Sequence, residues 1–188
     1  MSEVKIDGDI KIGWAGDRCL IVDVFRPADT SGLVPAILFL PGGSWFTANR
    51  GGLKDRFGIP IAEKGYICVL GEYRVAAEAL WPAQIQDVKS TIRWMRTNSS
   101  ELGIDQSKII VAGKSAGGHL ALMAGLATDV AEFEGSAGIT GVSSAVTATV
   151  GIAPVLDMFW AVGQRDLGPF LGKAPTPEVI KSASPLNT

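Results

Sequence analysis

From Arg18 to Arg26 the chain alternates, with Leu20, Val22 and Val24 on one side and Ile21, Asp23 and Phe25 on the other. A period of two is that of a β-strand, and Pro27 ends it. Ala28 to Gly32 follows as a polar turn. Val34 to Leu40 is apolar without a break until Pro41-Gly42-Gly43. Such a run suits a strand covered on both faces, as in a parallel sheet. Tyr66 to Glu72, Lys108 to Ala112 and Val146 to Val155 are predicted as further strands. Between them the pattern becomes helical. Leu53 to Lys64 is predicted as a helix that stops at Gly65, and Pro82 opens another, proline being tolerated at the first helical position. Ile85, Val88, Ile92 and Met95 then recur at spacings of three and four and make one apolar face, ended by Asn98-Ser99-Ser100. Ser115 to Ala127 reads as a small-residue helix, Gly135 to Gly141 as a flexible stretch and Asp157 to Val162 as a short helix.

Strands alternate with helices from Val34 onward. This predicts βαβ units: an α/β fold with a mostly parallel central sheet and helices on both faces. The strands before Val34 are free to pair antiparallel at one edge. The 188 residues suit one domain, 1–188, and a hydrophobic share of 47% supplies a core. A net charge of −2, with signs mixed along the chain, carries no basic footprint for nucleic acid. No apolar run approaches the roughly 20 residues that span a bilayer. The start Met1-Ser2-Glu3-Val4-Lys5 is too charged for a signal peptide. The expectation is a soluble, cytoplasmic protein without a membrane partner. Cys19 and Cys68 lie in apolar runs and read as reduced and buried; no CxxC or Cys/His cluster suggests a metal.

The strongest chemical signal is Gly113-Lys114-Ser115-Ala116-Gly117, set between a buried strand and a helix. In that context G-x-S-x-G marks a nucleophile elbow. The turn is tight enough to strain the serine backbone, and glycines two residues either side relieve the crowding. The hydroxyl then projects above a helix N-terminus, whose dipole favours developing negative charge. The second signal is Pro41-Gly42-Gly43-Ser44-Trp45, directly after a buried strand. Its glycine N–H groups can point at a carbonyl oxygen as an oxyanion hole, with the Ala116 N–H as the other donor. Taken alone, each is also compatible with a plain strand-ending turn.

These motifs, with Glu72-Tyr73-Arg74-Val75-Ala76-Ala77-Glu78, Trp81-Pro82, Gln86-Asp87 and the continuation Gly118-His119-Leu120-Ala121, resemble the esterase and lipase branch of the α/β-hydrolases. That branch is related to hormone-sensitive lipase and includes acetyl and feruloyl esterases. The resemblance runs in order from Val34 to Leu126. It implies Ser115 as nucleophile and Gly42, Gly43 and Ala116 as oxyanion donors. The implied reaction is acyl transfer from a small-molecule ester through an acyl-serine, with no cofactor or metal. Three departures stand out: Pro41 where the family has histidine, Ser44 for a third glycine, and Ala77 for proline.

In this fold the triad runs serine, acid, histidine. The one histidine here is His119, on the nucleophile's own helix, where packing or hydrogen bonding is the expected role. Of the later acids Asp129, Glu132, Glu134, Asp157, Asp166 and Glu178, Asp157 follows a strand but has no histidine to orient. The expectation is an α/β-hydrolase domain that stops before its last strands and its triad acid and base. Its uncovered sheet edge would then lead to dimers or strand swapping. Two functions follow: an impaired serine esterase for short acyl or acetyl esters, or a non-catalytic binding or scaffold member of the fold. Trp45, Phe46 and Trp81 are open to either a pocket or a core reading.

Overall fold

The computed structural model describes residues 3–29, 32–128 and 130–187. Six strands form one sheet: β1 (Val4–Ala15), β2 (Arg18–Pro27), β3 (Val34–Leu40), β4 (Ile67–Leu70), β5 (Ile104–Lys114) and β6 (Ala148–Ile152). Their order is β1-β2-β4-β3-β5-β6. β3 pairs in parallel with β4 and β5, and β5 with β6. β1 pairs antiparallel with β2, and β2 antiparallel with β4, so the predicted antiparallel edge is present. The long strand β1 had not been predicted: Gly8 and Gly13 and two register shifts break its alternation. Part of the polar turn, Thr30 and Ser31, lies outside the described residues.

The helices are α1 (Ile59–Glu63), α2 (Ala83–Thr97), α3 (Ser99–Leu102), α4 (Ala116–Leu126), α5 (Ala131–Glu134), α6 (Met158–Gln164), α7 (Gly168–Leu171) and α8 (Pro177–Ser182). The helix expected over Leu53–Lys64 is broken into a 3₁₀ turn at Gly51–Leu53, a π segment at Lys54–Gly58 and α1. Pro82 is the N-cap of α2 rather than its first residue. The strand expected over Val146–Val155 shortens to β6, and that over Lys108–Ala112 lengthens to β5.

The continuous apolar runs divide between the two faces of the sheet. Leu38, Leu40, Val69 and Val111 pack with Ile85, Val88, Ile92 and Met95 of α2 and with Leu120 of α4. On the other face Phe39, Cys68, Leu70 and Ala112 pack with Ala62 of α1. Helices therefore cover both faces, as the pattern requires. Helix α2 is buried beyond its apolar face: Lys89, Arg93 and Asp87 are buried too. Lys89 Nζ donates to Glu134 Oε1 at 2.7 Å, and Arg93 donates to the carbonyls of Glu134, Ala137 and Ile139. The stretch read as flexible, 135–141, is thus clamped onto α2 by Arg93, which uses its Ala137 and Ile139 carbonyls as acceptors. Cys19 and Cys68 are free thiols, the first partly and the second fully buried; burial pushes the Cys68 thiol up to about 12.

Candidate active site

The C-terminal ends of three parallel strands meet at Ser115. Gly113 is in register with Leu40 of β3, and Lys114 with Ile152 of β6. Ser115 follows β5 directly and is the N-cap of α4, with φ 53° and ψ −117°. A non-glycine residue held at positive φ costs of order 1–3 kcal/mol and persists only where its surroundings over-determine it. Those surroundings are explicit. The Ser115 N–H donates to the Ile152 carbonyl at 2.9 Å, and the Ser115 carbonyl accepts from the His119 N–H at 2.9 Å. A Cβ on Gly113 would overlap the Gly117 carbonyl, and one on Gly117 would overlap the carbonyls of Leu40 and Pro41. The G-x-S-x-G spacing is therefore a steric requirement of β3, β5 and α4 approaching this closely.

The loop after β3 lies against the serine. A Cβ placed on Gly42 would stand 3.4 Å from the Ser115 Cβ. Gly43, at φ 136°, accepts at its carbonyl from the Phe46 and Thr47 N–H groups, which closes a tight turn. Ser44 and Trp45 follow at φ 55° and 66°. Ser115, Gly42, Gly43 and Ala116, the four residues singled out in the sequence, are thus neighbours at one sheet end. Ser115 itself is only partly buried.

The middle motif buttresses this loop. The fully buried Tyr73 donates its O–H to the Pro41 carbonyl at 2.9 Å, and the Ala76 N–H donates to the Trp45 carbonyl at 2.8 Å. Arg74 makes a two-pronged ion pair with the fully buried Asp87, whose carboxyl also accepts the Arg74 N–H at 2.8 Å. Burial pushes the Asp87 carboxyl up, and Arg74 opposes that shift. Glu72 receives Arg18 and Arg50 at 2.9 Å each.

Residues 22–187 match the BD-FAE family profile. The chain belongs to the BD-FAE family. The chain is similar in fold to solved esterases: a truncated carbohydrate esterase from gut microbiota superposes with a TM-score of 0.81 at 28% identity, covering 97% of this chain and 72% of that one. Thermogutta terrifontis esterase 2, phosphonylated by cyclosarin, gives a TM-score of 0.77 at 28% identity, covering 99% and 65%. Among sequences, the chain is 38% identical over 130 residues to the probable carboxylic ester hydrolase LipM of Mycobacterium tuberculosis, covering 68% of this chain and 30% of LipM. It is 31% identical over 192 residues to esterase LipQ of the same organism, covering 95% and 44%. The chain therefore spans less than half the length of these curated relatives. The α/β-hydrolase esterase resemblance read from the motifs is borne out.

Two polar side chains of this BD-FAE family member, His119 and Asp157, are the ones weighed in the sequence as base and acid. His119 is fully buried; its Nδ1 accepts from Trp45 Nε1 at 3.2 Å, and its Nε2 lies 2.7 Å from the Ala183 carbonyl. An indole N–H only donates and a carbonyl only accepts, which fixes the neutral Nε2–H tautomer. Burial pulls the imidazole down to about 4, partly offset by the Ala183 bond. Both ring nitrogens are committed to structure. Asp157 caps α6, its Oδ1 accepting from the Phe159 and Trp160 N–H groups at 2.8 and 3.2 Å. Asp129 lies outside the described residues.

Of the aromatics, Trp45 and Trp81 are core: Trp45 is fully buried, stacked on Phe170 at 4.6 Å, and Trp81 packs edge-on to Phe133. Phe46 is exposed. Among the described residues, no cluster of His, Cys, Asp and Glu could hold a metal ion, and no helix is long and apolar enough to cross a membrane. The residues that sequence reading missed are Tyr73 as the loop's anchor and Arg165, whose Nη1 donates to Ser44 Oγ at 2.9 Å.

Proposed function

We propose that this chain is a serine-dependent carboxylic-ester hydrolase for short acyl esters, with Ser115 as nucleophile and the N–H groups of Gly42, Gly43 and Ala116 as oxyanion donors. The observation that carries this reading is the positive-φ Ser115 at the mouth of α4, with Gly42 packed against it. Ser115 Oγ attacks the ester carbonyl, the N–H groups stabilise the oxyanion, the alcohol leaves, and water releases the acid from the acyl-serine. The names of LipM, LipQ and the solved esterases support the same chemistry.

The chain holds one histidine, and both its nitrogens are engaged. The proton of Ser115 then goes to water or hydroxide, and the rate falls far below that of a complete triad. The test is hydrolysis of p-nitrophenyl acetate as a function of pH, beside Ser115→Ala. The expected result is slow turnover, abolished by Ser115→Ala, whose rate climbs steadily from pH 6 to 9. A rate that levels off near pH 6.5 would reveal a free imidazole base and overturn the account of the proton.

The buried, doubly bonded His119 also favours a second reading, a non-catalytic ligand-binding member of the fold. Identical behaviour of wild type and Ser115→Ala would move that reading ahead. As a further part of this proposal, the β6 edge is the surface through which two copies pair.

A further inference from the structure

Arg165 follows α6 and reaches back across the fold to the loop after β3. Its Nη1 donates to Ser44 Oγ at 2.9 Å, and its Cζ stands 5.6 Å from the centre of the Trp45 ring. Trp45 is fixed from below by Phe170 and from its edge by His119. The guanidinium therefore rests on a rigid aromatic floor, a placement arginine favours over lysine. Ser44 uses one of its five N–H donors. Arg18, Arg26, Arg50, Arg74 and Arg93 are each paired with a carboxylate. Arg165 is exposed, and among the described residues no carboxylate pairs with it. Ser44 is two residues from Gly42, which lies against Ser115. Two residues of chain and one side chain keep the guanidinium within roughly 15 Å of Ser115.

We propose that Arg165 is a specificity-determining residue that recognises a carboxylate on the ester, so that this site prefers acidic half-esters to neutral esters of the same length. A carboxylate two to four carbons beyond the carbonyl held at Ser115 reaches the free edge of the guanidinium. There it accepts two N–H donors side by side, the geometry arginine offers and lysine does not. The site is solvent-exposed, so the preference is modest and weakens with added salt. This inference rests on the esterase reading for the place of the ester, but the anion contact does not require turnover.

The experiment uses the whole chain and two probes, monomethyl glutarate and dimethyl glutarate. Binding is followed by two-dimensional NMR, with the Trp45 indole N–H as reporter beneath Arg165. The expected result is that the monoester binds about fivefold more tightly, as for a partly exposed charged contact. Arg165→Ala removes the preference, Arg165→Lys keeps part of it, and Arg165→Glu reverses it, while dimethyl glutarate binds all four alike. A side chain that only braced the loop would change binding of both probes equally. Equal binding of the two probes to the wild type, or a preference that survives Arg165→Ala, overturns the proposal. Labelling of Ser115 by paraoxon, read by mass spectrometry on the same samples, separates the two claims. A charge preference without labelling removes the nucleophile reading and leaves the carboxylate contact standing; labelling without a preference does the opposite.

Discussion

At the residue scale, His119 is a strut between three parts of the chain. It sits one turn past Ser115, takes the indole proton of Trp45 and gives its own to Ala183. Its charged form has no room in that arrangement, so its folded value lies near 4, below the ordinary 6.5. A depressed folded value means that the unfolded chain binds the proton first. The contribution is complete above pH 6.5 and is lost as the pH falls through 4. A shift of this size corresponds to about 3 kcal/mol. The expected outcome is that the stability gap between wild type and His119→Gln, read from urea unfolding, narrows by that amount between pH 7 and pH 4. A gap that does not change with pH would mean that the imidazole titrates as in the unfolded chain. The position of His119 on the helix after Ser115 was legible in the sequence, and so was the expectation that it packs or hydrogen-bonds there. Its partners were not, since Trp45 and Ala183 lie 74 and 64 residues away along the chain.

At the element scale, α2 and the segment after β4 form the frame that holds the loop after β3. Tyr73 ties that segment to Pro41, and Arg74 ties it to Asp87 on α2. Asp87 is fully buried, so its cost without a partner is severe. Removing one member of a buried ion pair costs about 3–5 kcal/mol, far more than the pair itself contributes. Arg74→Ala is expected to lower the urea midpoint accordingly and to reduce esterase activity through the displaced loop. A loss below 1 kcal/mol would show that Asp87 takes a proton or finds water at little cost. Sequence reading placed both residues in motifs but gave no reason for them. The reason is a contact between a loop and a helix.

At the scale of the whole molecule, the two sheet edges differ. The outer strand β1 carries Lys5, Asp7, Asp9 and Lys11, charges that disfavour pairing with another chain. The other edge, β6, lies within 135–156, a stretch without a charged residue. Thr149 and Gly151 face α4, where the Cβ positions of Gly125 and Gly151 abut Thr149 and Leu122. Val150 and Ile152 therefore face the side of α1 and are 48% and 39% exposed. An uncharged edge with apolar side chains would meet its own copy about a two-fold axis without like-charge repulsion. Sedimentation over a range of concentrations is expected to show a dimer that Val150→Lys converts to monomer. Leu33→Lys, at a more exposed apolar site on another part of the surface, should leave it intact. A wild type that stays monomeric throughout would exclude this contact.

What the sequence determined by itself was whatever depends on neighbours along the chain. The buried strands, the helix face at Ile85, Val88, Ile92 and Met95, and the elbow at Ser115 follow from periodicity and from the crowding of one tight turn. The place of Gly42 beside Ser115 was legible because β3 and β5 are parallel strands whose ends line up. What only the tertiary structure decided was which distant groups satisfy the polar atoms that the fold buries or leaves exposed. Lys89 and Arg93 hold a loop, His119 braces Trp45, and Arg165 arrives at Ser44 from 121 residues away. Spacing along the chain carries no record of such contacts, because they are set by how separate elements pack and by the cost of leaving a buried polar group unpaired.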